Sequence, residues 1–354
     1  MSGESAVFRF IITLFIAISV GYAAYRVKIP GGFMVGAVLG SAVLSIFTGV
    51  AYMPGWTKIA AQVTAGAFIG CGISKSDLAG FRSLLRPILT LLSMMLALNL
   101  LMGYLVYRFS PLDAVTAFMC AVPGGMSDIP IIAAEMGADA AKVTAVQFLR
   151  MVAGIAIFPS VIRAMTRGEP QPQPADAPVA DSALAESSKP RQSFFLTLLV
   201  ATAGGLLGRA LGIPAGTLAF AVIASVLFKL TTDRAVLPMW AKRMAQVLSG
   251  AYIGSSISAP DLIEMRQVLV PALLILAGYA VNCFLTGLLL HRGCHFTRRE
   301  GMLAATPAGA SDIALISADL GVTSPNLVVM QTLRLLAVVI IFPQVIHLVL
   351  LLLH

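Results

Sequence analysis

The chain has 354 residues, 58% of them apolar and 11% charged, with a mean hydropathy of +0.91. So little polar surface excludes a soluble globule of this size and places the chain among polytopic membrane proteins. A net charge of +8 would suggest nucleic acid in a soluble protein, but here Lys and Arg fall between apolar stretches, where they set orientation in a bilayer.

In chain order, apolar segments run at about 7–25, 31–50, 58–74, 84–107, 113–137 and 142–163. The first could pass for a signal peptide with Arg9 as its charged start. Its end, Gly21 followed by Ile29-Pro30, recurs at Gly205 and Ile213-Pro214, so it reads as a retained helix. The third segment is short, and Pro123-Gly124-Gly125 interrupts the fifth. Residues 164–192, rich in Pro, Ala and Ser with mixed charge, cannot form a core and read as a flexible cytoplasmic linker. Six more segments follow at about 193–210, 215–231, 242–258, 268–291, 300–321 and 325–348, the fifth again broken, by Pro307-Ala308-Gly309. A crossing helix needs roughly 20 residues, so twelve segments do not dictate twelve crossings.

The second set repeats the first. Residues 21–162 lie on 205–346 at one constant offset (205 − 21 = 184) without a gap. Identities include Pro30/Pro214, Trp56/Trp240, Gln62/Gln246, Asp77/Asp261, Asp128/Asp312, Gln147/Gln331 and Arg150/Arg334. This divides the chain into a first repeat at 1–163 and a second at 193–354, on either side of the linker. If every segment crosses, the repeats are parallel and Lys plus Arg, leaving out Arg150 and Arg334 inside segments, divide fourteen against eight between the two sides. If the fifth segment is re-entrant, the second repeat is inverted and the division becomes sixteen against six, with the linker on the positive side. The positive-inside rule favours the second arrangement. The expected fold is therefore all-α and polytopic, with inverted repeats, about ten crossing helices and two broken segments. Twelve crossing helices in parallel repeats form the alternative.

Candidate chemistry gathers at the breaks. Pro123, Gly124, Gly125, Ser127 and Asp128 are answered by Pro307, Gly309, Ser311 and Asp312. Pro and Gly in mid-segment stop a helix, and unwound backbone at membrane depth survives only when buried in protein or facing an aqueous cavity. Ser127 or Asp128 suits the N-cap of a second half-helix, with Pro130 in its first turn. Paired broken helices point to a transporter's binding site; two buried turns that bind nothing are the plainer reading. In the following segments Gln147 and Arg150, and likewise Gln331 and Arg334, stand three residues apart and share a helix face. An intramembrane Arg needs a partner: the carboxylate of Asp128 or Asp312 in a structural ion pair, or a bound anion.

Other polar groups read more plainly. Asn99 and Asn282 suit interhelical hydrogen bonds. Gln62 and Gln246 precede Gly66…Gly70 and Gly250…Gly254, whose spacing suits close helix packing. Ser74 with Asp77, and Ser258 with Asp261, fit capping boxes. Glu135 and Asp319 lie near segment ends, where water reaches. His291 and His295 have metal-ligand spacing, but they sit in an Arg-rich connection that reads as a solvated loop. The four cysteines form neither a disulfide framework nor a metal site.

The doubled Pro-x-Gly-x-Ser-Asp segment, each copy followed by a Gln…Leu-Arg helix, resembles the bacterial AbrB membrane family, often labelled ammonia monooxygenase or AbrB family transcriptional regulator. This chain carries Asp128 and Asp312 where Glu is frequent in that family, and Ala308 in place of a Gly. Neither label suits the residues. A DNA reader needs a soluble basic element, and a copper oxygenase needs more ligands than four scattered histidines. The layout that the resemblance implies is a secondary transporter, not an enzyme, in the bacterial inner membrane. Its expected partners are the lipid bilayer and a small anionic organic solute, with no nucleic acid; a homodimer stays open. No cofactor is expected beyond a coupling H+ or Na+. The competing class is a membrane-embedded enzyme or regulatory protein that transports nothing.

Overall fold

A computed structural model describes residues 3–29, 31–73, 81–126, 128–166, 191–232, 234–294, 296–306 and 325–353, and every regular element among them is helical. The first repeat supplies α1 (Gly3–Arg26), α2 (Gly32–Thr48), α3 (Gly55–Cys71), α4 (Phe81–Phe109), α5 (Ala114–Cys120), α6 (Ile129–Glu135) and α7 (Ala140–Met165). The second supplies α8 (Arg191–Ala210), α9 (Gly216–Thr232), α10 (Met239–Ser255), α11 (Ala259–Glu264), α12 (Leu269–Cys294), α13 (Arg298–Ala305), α14 (Pro325–Ile340) and α15 (Phe342–Leu353). Five helical runs among the described residues are long and apolar enough to span a bilayer: Ser5–Arg26, Leu84–Phe109, Ser193–Ala210, Ala259–Cys294 and Val329–Leu352. The helices α2 and α9 are apolar but, at 17 residues each, at the short limit. The protein is an all-helical membrane protein. Most of the linker lies outside the described residues.

The helices fall into two compact units. The first holds residues 1–71, 126–148 and 189–269. Here α2 packs between α1 and α10, and α9 packs between α8 and α3. The two repeats thus exchange partners in matching fashion. One core of Ala17, Ala37, Met53, Val247 and Ala251 is answered by another of Ala201, Ala221, Leu237, Val63 and Ala67, each residue displaced by the repeat offset. The loops are pinned alike: Tyr52 N–H donates to Thr13 Oγ1 at 3.0 Å, and Val236 N–H to Thr197 Oγ1 at 3.2 Å. Trp56 stands edge-on to Phe10 with ring centroids 5.7 Å apart, and Trp240 meets Phe194 at 5.4 Å.

The paired glycines let backbones approach. A methyl group added at Gly66 or Gly70 would come within 2.8 Å of Ala221 Cβ or of the Val222 carbonyl on α9. At Gly250 it would stand 2.6 Å from the Met34 carbonyl on α2. With no hydrophobic driving force inside lipid, such van der Waals contact is what holds helices together. Lys58 in the first turn of α3 lies 6.0 Å from the Tyr252 ring in the last turn of α10, and Lys242 at the start of α10 lies 4.5 Å from Phe68 near the end of α3. The equivalent helices α3 and α10 therefore run antiparallel, and the two-fold relating the repeats in this unit is perpendicular to them.

The second unit holds residues 72–125, 149–188 and 270–354. Its elements match across the offset as well: Gly103 abuts Phe118 of α5, and Gly287 abuts Met302 of α13. Asn99 donates to the Phe118 carbonyl at 3.1 Å, and its positional equivalent Cys283 donates to the Met302 carbonyl at 3.2 Å. Asn282 instead accepts from Thr286 within its own helix, so one of the two interhelical asparagine bonds expected from sequence is a cysteine's. The sixth segment of the second repeat, expected as one helix, is divided between α14 and α15 by a turn at Ile341, two residues before Pro343; the missing N–H of a proline makes such a turn easy.

Candidate functional site

The fifth segment breaks where Pro and Gly require. Asp113 caps α5 by accepting the Thr116 N–H at 3.0 Å, the helix ends at Cys120, and regular structure resumes only at α6. In the second repeat Thr297 and Glu300 form a capping box that starts α13, which ends at Ala305. Both half-helices therefore stop inside their segments, where backbone carbonyls at and just beyond the ends need donors from outside the helix.

Two buried arginines take those carbonyls. Arg150, on α7 and 3% exposed, donates from Nη1 to the Val122 carbonyl at 3.0 Å and from Nη2 to that of Gly124. Arg334, on α14 and 6% exposed, donates from Nη1 to the carbonyls of Thr306 at 2.7 Å and Ala304 at 3.3 Å. Val122 and Thr306 are equivalent positions, so the duplication extends to the bonds themselves. Gln331 adds Nε2 bonds to Leu303 and Ala304 at 3.2 and 3.3 Å. Tyr279, buried on α12, donates its hydroxyl to the Ala121 carbonyl at 2.7 Å, with its ring 5.8 Å from the Arg150 guanidinium.

Arg150 and Arg334 lie close enough to repel each other. The carbonyl ends of helices carry partial negative charge, which suits the guanidinium groups they meet. Arg150 Nε and Gln331 Oε1 have no hydrogen-bond partner among the described residues. A buried donor without an acceptor calls for an explanation, and a bound anion supplies one.

Of the two carboxylates expected to pair with the arginines, Asp312 lies outside the described residues. Among the described residues Arg150 and Arg334 bond to backbone carbonyls, and the ion pair recorded is Lys142 with Asp139 at 3.3 Å. The physical reason is that unwound carbonyls next to the Arg already supply acceptors. Asp128 stands at the N-cap position of α6 but makes no capping bond, and Pro130 occupies the first turn as expected. Of the predicted site residues, Gly124, Arg150, Gln331 and Arg334 come together in the second unit, whose stretch before Met126 also carries Pro123 and Gly125. Asp128 and the fully buried Gln147 belong to the first unit. Ser127, Pro307, Gly309, Ser311 and Asp312 lie outside the described residues.

Two groups were passed over in the sequence. Tyr279 is one; its equivalent is Met95, so no pairing signalled it. The other is a polar cluster in the first unit, where Glu135 accepts from Gln62 Nε2 at 2.6 Å and from Thr217 Oγ1 at 3.3 Å. Gln62 is therefore more than a packing residue, and Glu135 is held by both repeats rather than left to water. Elsewhere, Ser258 N–H donates to Asp261 at 2.8 Å as half of a capping box, while residues 74–80 lie outside the described residues. The His291 ring bonds the Phe296 carbonyl at 2.8 Å, and the described residues contain no metal-ligand cluster.

Comparison with known sequences places the chain in a family. The profile of the family described as "Transition state regulatory protein AbrB" matches residues 1–166 and again 81–350. An Escherichia coli (strain K12) protein named as regulator AbrB is 25% identical over 338 residues, covering 94% of this chain and 93% of its own. The uncharacterized protein YhjN of Bacillus subtilis (strain 168) is 24% identical over 352 residues, covering 93% and 90%. The chain belongs to the AbrB family.

Proposed function

We propose that this AbrB-family protein is a secondary transporter of a small anionic organic solute, in the bacterial inner membrane. The observation that carries the reading is the pair of buried arginines at equivalent positions, each donating to backbone carbonyls at the break of its repeat's fifth segment. Two guanidinium groups gathered in one buried place favour a bound anion over a brace alone. Arg geometry suits a carboxylate, and Arg150 Nε supplies a donor still to be filled.

The antiparallel run of α3 and α10 favours inverted repeats with a two-fold in the membrane plane. Together with the charge division it supports ten crossing helices and two broken segments. The two compact units supply two bodies for alternating access. Coupling to H+ or Na+ requires a titratable or oxygen-rich site, and Glu135, with Gln62 and Thr217, joins Asp128 as a candidate.

Uptake by proteoliposomes tests the reading. Purified protein is expected to move one or more of a library of small carboxylates under a pH or sodium gradient, and Arg150→Gln or Arg334→Gln to abolish that flux. Absence of flux for the whole library under both gradients would favour the non-transporting alternative, in keeping with the regulator name borne by the E. coli relative.

A further inference from the structure

The first unit also carries a cationic pocket remote in sequence from the broken helices. It is a hollow of ≈ 640 Å3 where the α1–α2 turn meets the start of α10, lined by Arg26, Lys28, Lys242 and Arg243 together with Tyr25 and Phe33, and among the described residues no carboxylate lines it. The carboxylate recorded as acting on this cluster is Asp128, which lies in the field of Lys242. The Arg243 guanidinium lies over two rings, 4.8 Å from Tyr25 and 5.4 Å from Phe33, and donates to the Tyr25 hydroxyl at 3.2 Å. The rings themselves stack at 4.8 Å. A guanidinium held flat on aromatic faces keeps its N–H edge free and fixed in direction.

Lys28 gives a second, independent sign. Helix α1 closes with Ile29 N–H bonded to the Ala24 carbonyl and Lys28 N–H to that of Tyr25, both at 3.0 Å, which leaves Lys28 left-handed at φ 62°. That position ordinarily belongs to glycine, and the matching residue after α8 is indeed Gly212, at φ 65°. The first repeat thus tolerates backbone strain to place an ammonium group at the pocket, and strain of this kind marks functional positions. The duplication does not require the pocket. The equivalents of Arg26, Lys28 and Arg243 are Ala210, Gly212 and Ile59, and only Lys242 has a cationic match, in Lys58.

Tyr25 in this lining is exposed, as aromatic residues are at the headgroup level of a bilayer. We propose that this pocket binds a phosphate-bearing anion: the headgroup of an anionic phospholipid, or a soluble phosphate ester. Four cationic side chains in one lining exceed what a single carboxylate needs, and basic pockets suit phosphate headgroups. The proposal does not depend on the transport reading.

Delipidated full-length protein in detergent, titrated with phosphatidylglycerol or phosphatidylcholine and followed by native mass spectrometry, tests it. A parallel titration uses glycerol 3-phosphate as competitor. Wild-type protein is expected to retain phosphatidylglycerol in preference to phosphatidylcholine. Lys28→Gly and Arg243→Gln should each weaken that retention about fivefold, the usual effect of one interfacial cation. Lys28→Gly relieves the left-handed strain, so its ligand-free melting temperature should not fall, which separates lost binding from lost folding. Displacement by glycerol 3-phosphate, or direct binding of glycerol 3-phosphate alone, assigns a soluble ester; retention that resists it assigns a lipid. Equal retention of the two lipids without glycerol 3-phosphate binding, or unchanged binding in both variants, would overturn the proposal.

Discussion

Replacing Arg334 by Gln separates a binding role from a bracing one. The change removes a buried cation that holds the Thr306 and Ala304 carbonyls at 2.7 and 3.3 Å. A hydrogen bond from a charged donor contributes about 1.5–3 kcal/mol, and Gln can keep one of the two. Against that loss stands relief of a burial penalty of several kcal/mol and of repulsion from Arg150. Stability without ligand should therefore shift by no more than about 2 kcal/mol. Anion binding should suffer far more, because removing one partner of a buried charge pair costs about 2–5 kcal/mol, or about thirtyfold to a few thousandfold in affinity. Thermal unfolding in detergent, with and without small carboxylates, reads both effects. A ligand at a hundred times its Kd stabilises by about 2.7 kcal/mol, and the variant should lose that stabilisation while its ligand-free transition hardly moves. Destabilisation beyond about 4 kcal/mol with carboxylate stabilisation intact would make Arg334 a brace and refute the anion-site reasoning.

Tyr279→Phe removes the bond to the Ala121 carbonyl and little volume, so a loss of about 1 kcal/mol in thermal stability is expected. Gly70→Leu drives a side chain against the Val222 carbonyl and Ser225 on α9; a loss of about 3 kcal/mol or more is expected, visible as aggregation after mild heating in size-exclusion chromatography. Glu135→Gln should fold, since the amide still meets Gln62 and Thr217. Its uptake should no longer respond to the driving gradient while solute exchange persists; a preserved gradient response would remove Glu135 from coupling.

What the sequence made legible was whatever the two repeats kept in identical type. Gly66 with Gly250, Trp56 with Trp240 and Arg150 with Arg334 were all visible as pairs, and each pair makes matching contacts. Pairs of unlike residues that do one job were invisible. Asn99 and Cys283 donate to equivalent carbonyls through different chemistry, and the near-register Asn282 was a decoy. Tyr279 answers to Met95 and so left no pairing signal. Glu135 was misjudged because a position near the end of an apolar segment suggests water, whereas α3 and α9 bring Gln62 and Thr217 to it. The carbonyl partners of the arginines were equally hidden: a sequence shows a carboxylate but not the backbone carbonyls that a broken helix presents.

The central claim is that two repeats facing opposite ways share one carrier. In a functional variant without native cysteines, Trp56→Cys and Trp240→Cys place a thiol at the same repeat position in each half. An impermeant maleimide applied to sealed right-side-out and inside-out vesicles is predicted to label the two positions from opposite sides of the membrane. Labelling of both from the same side would mean parallel repeats, and would contradict the account.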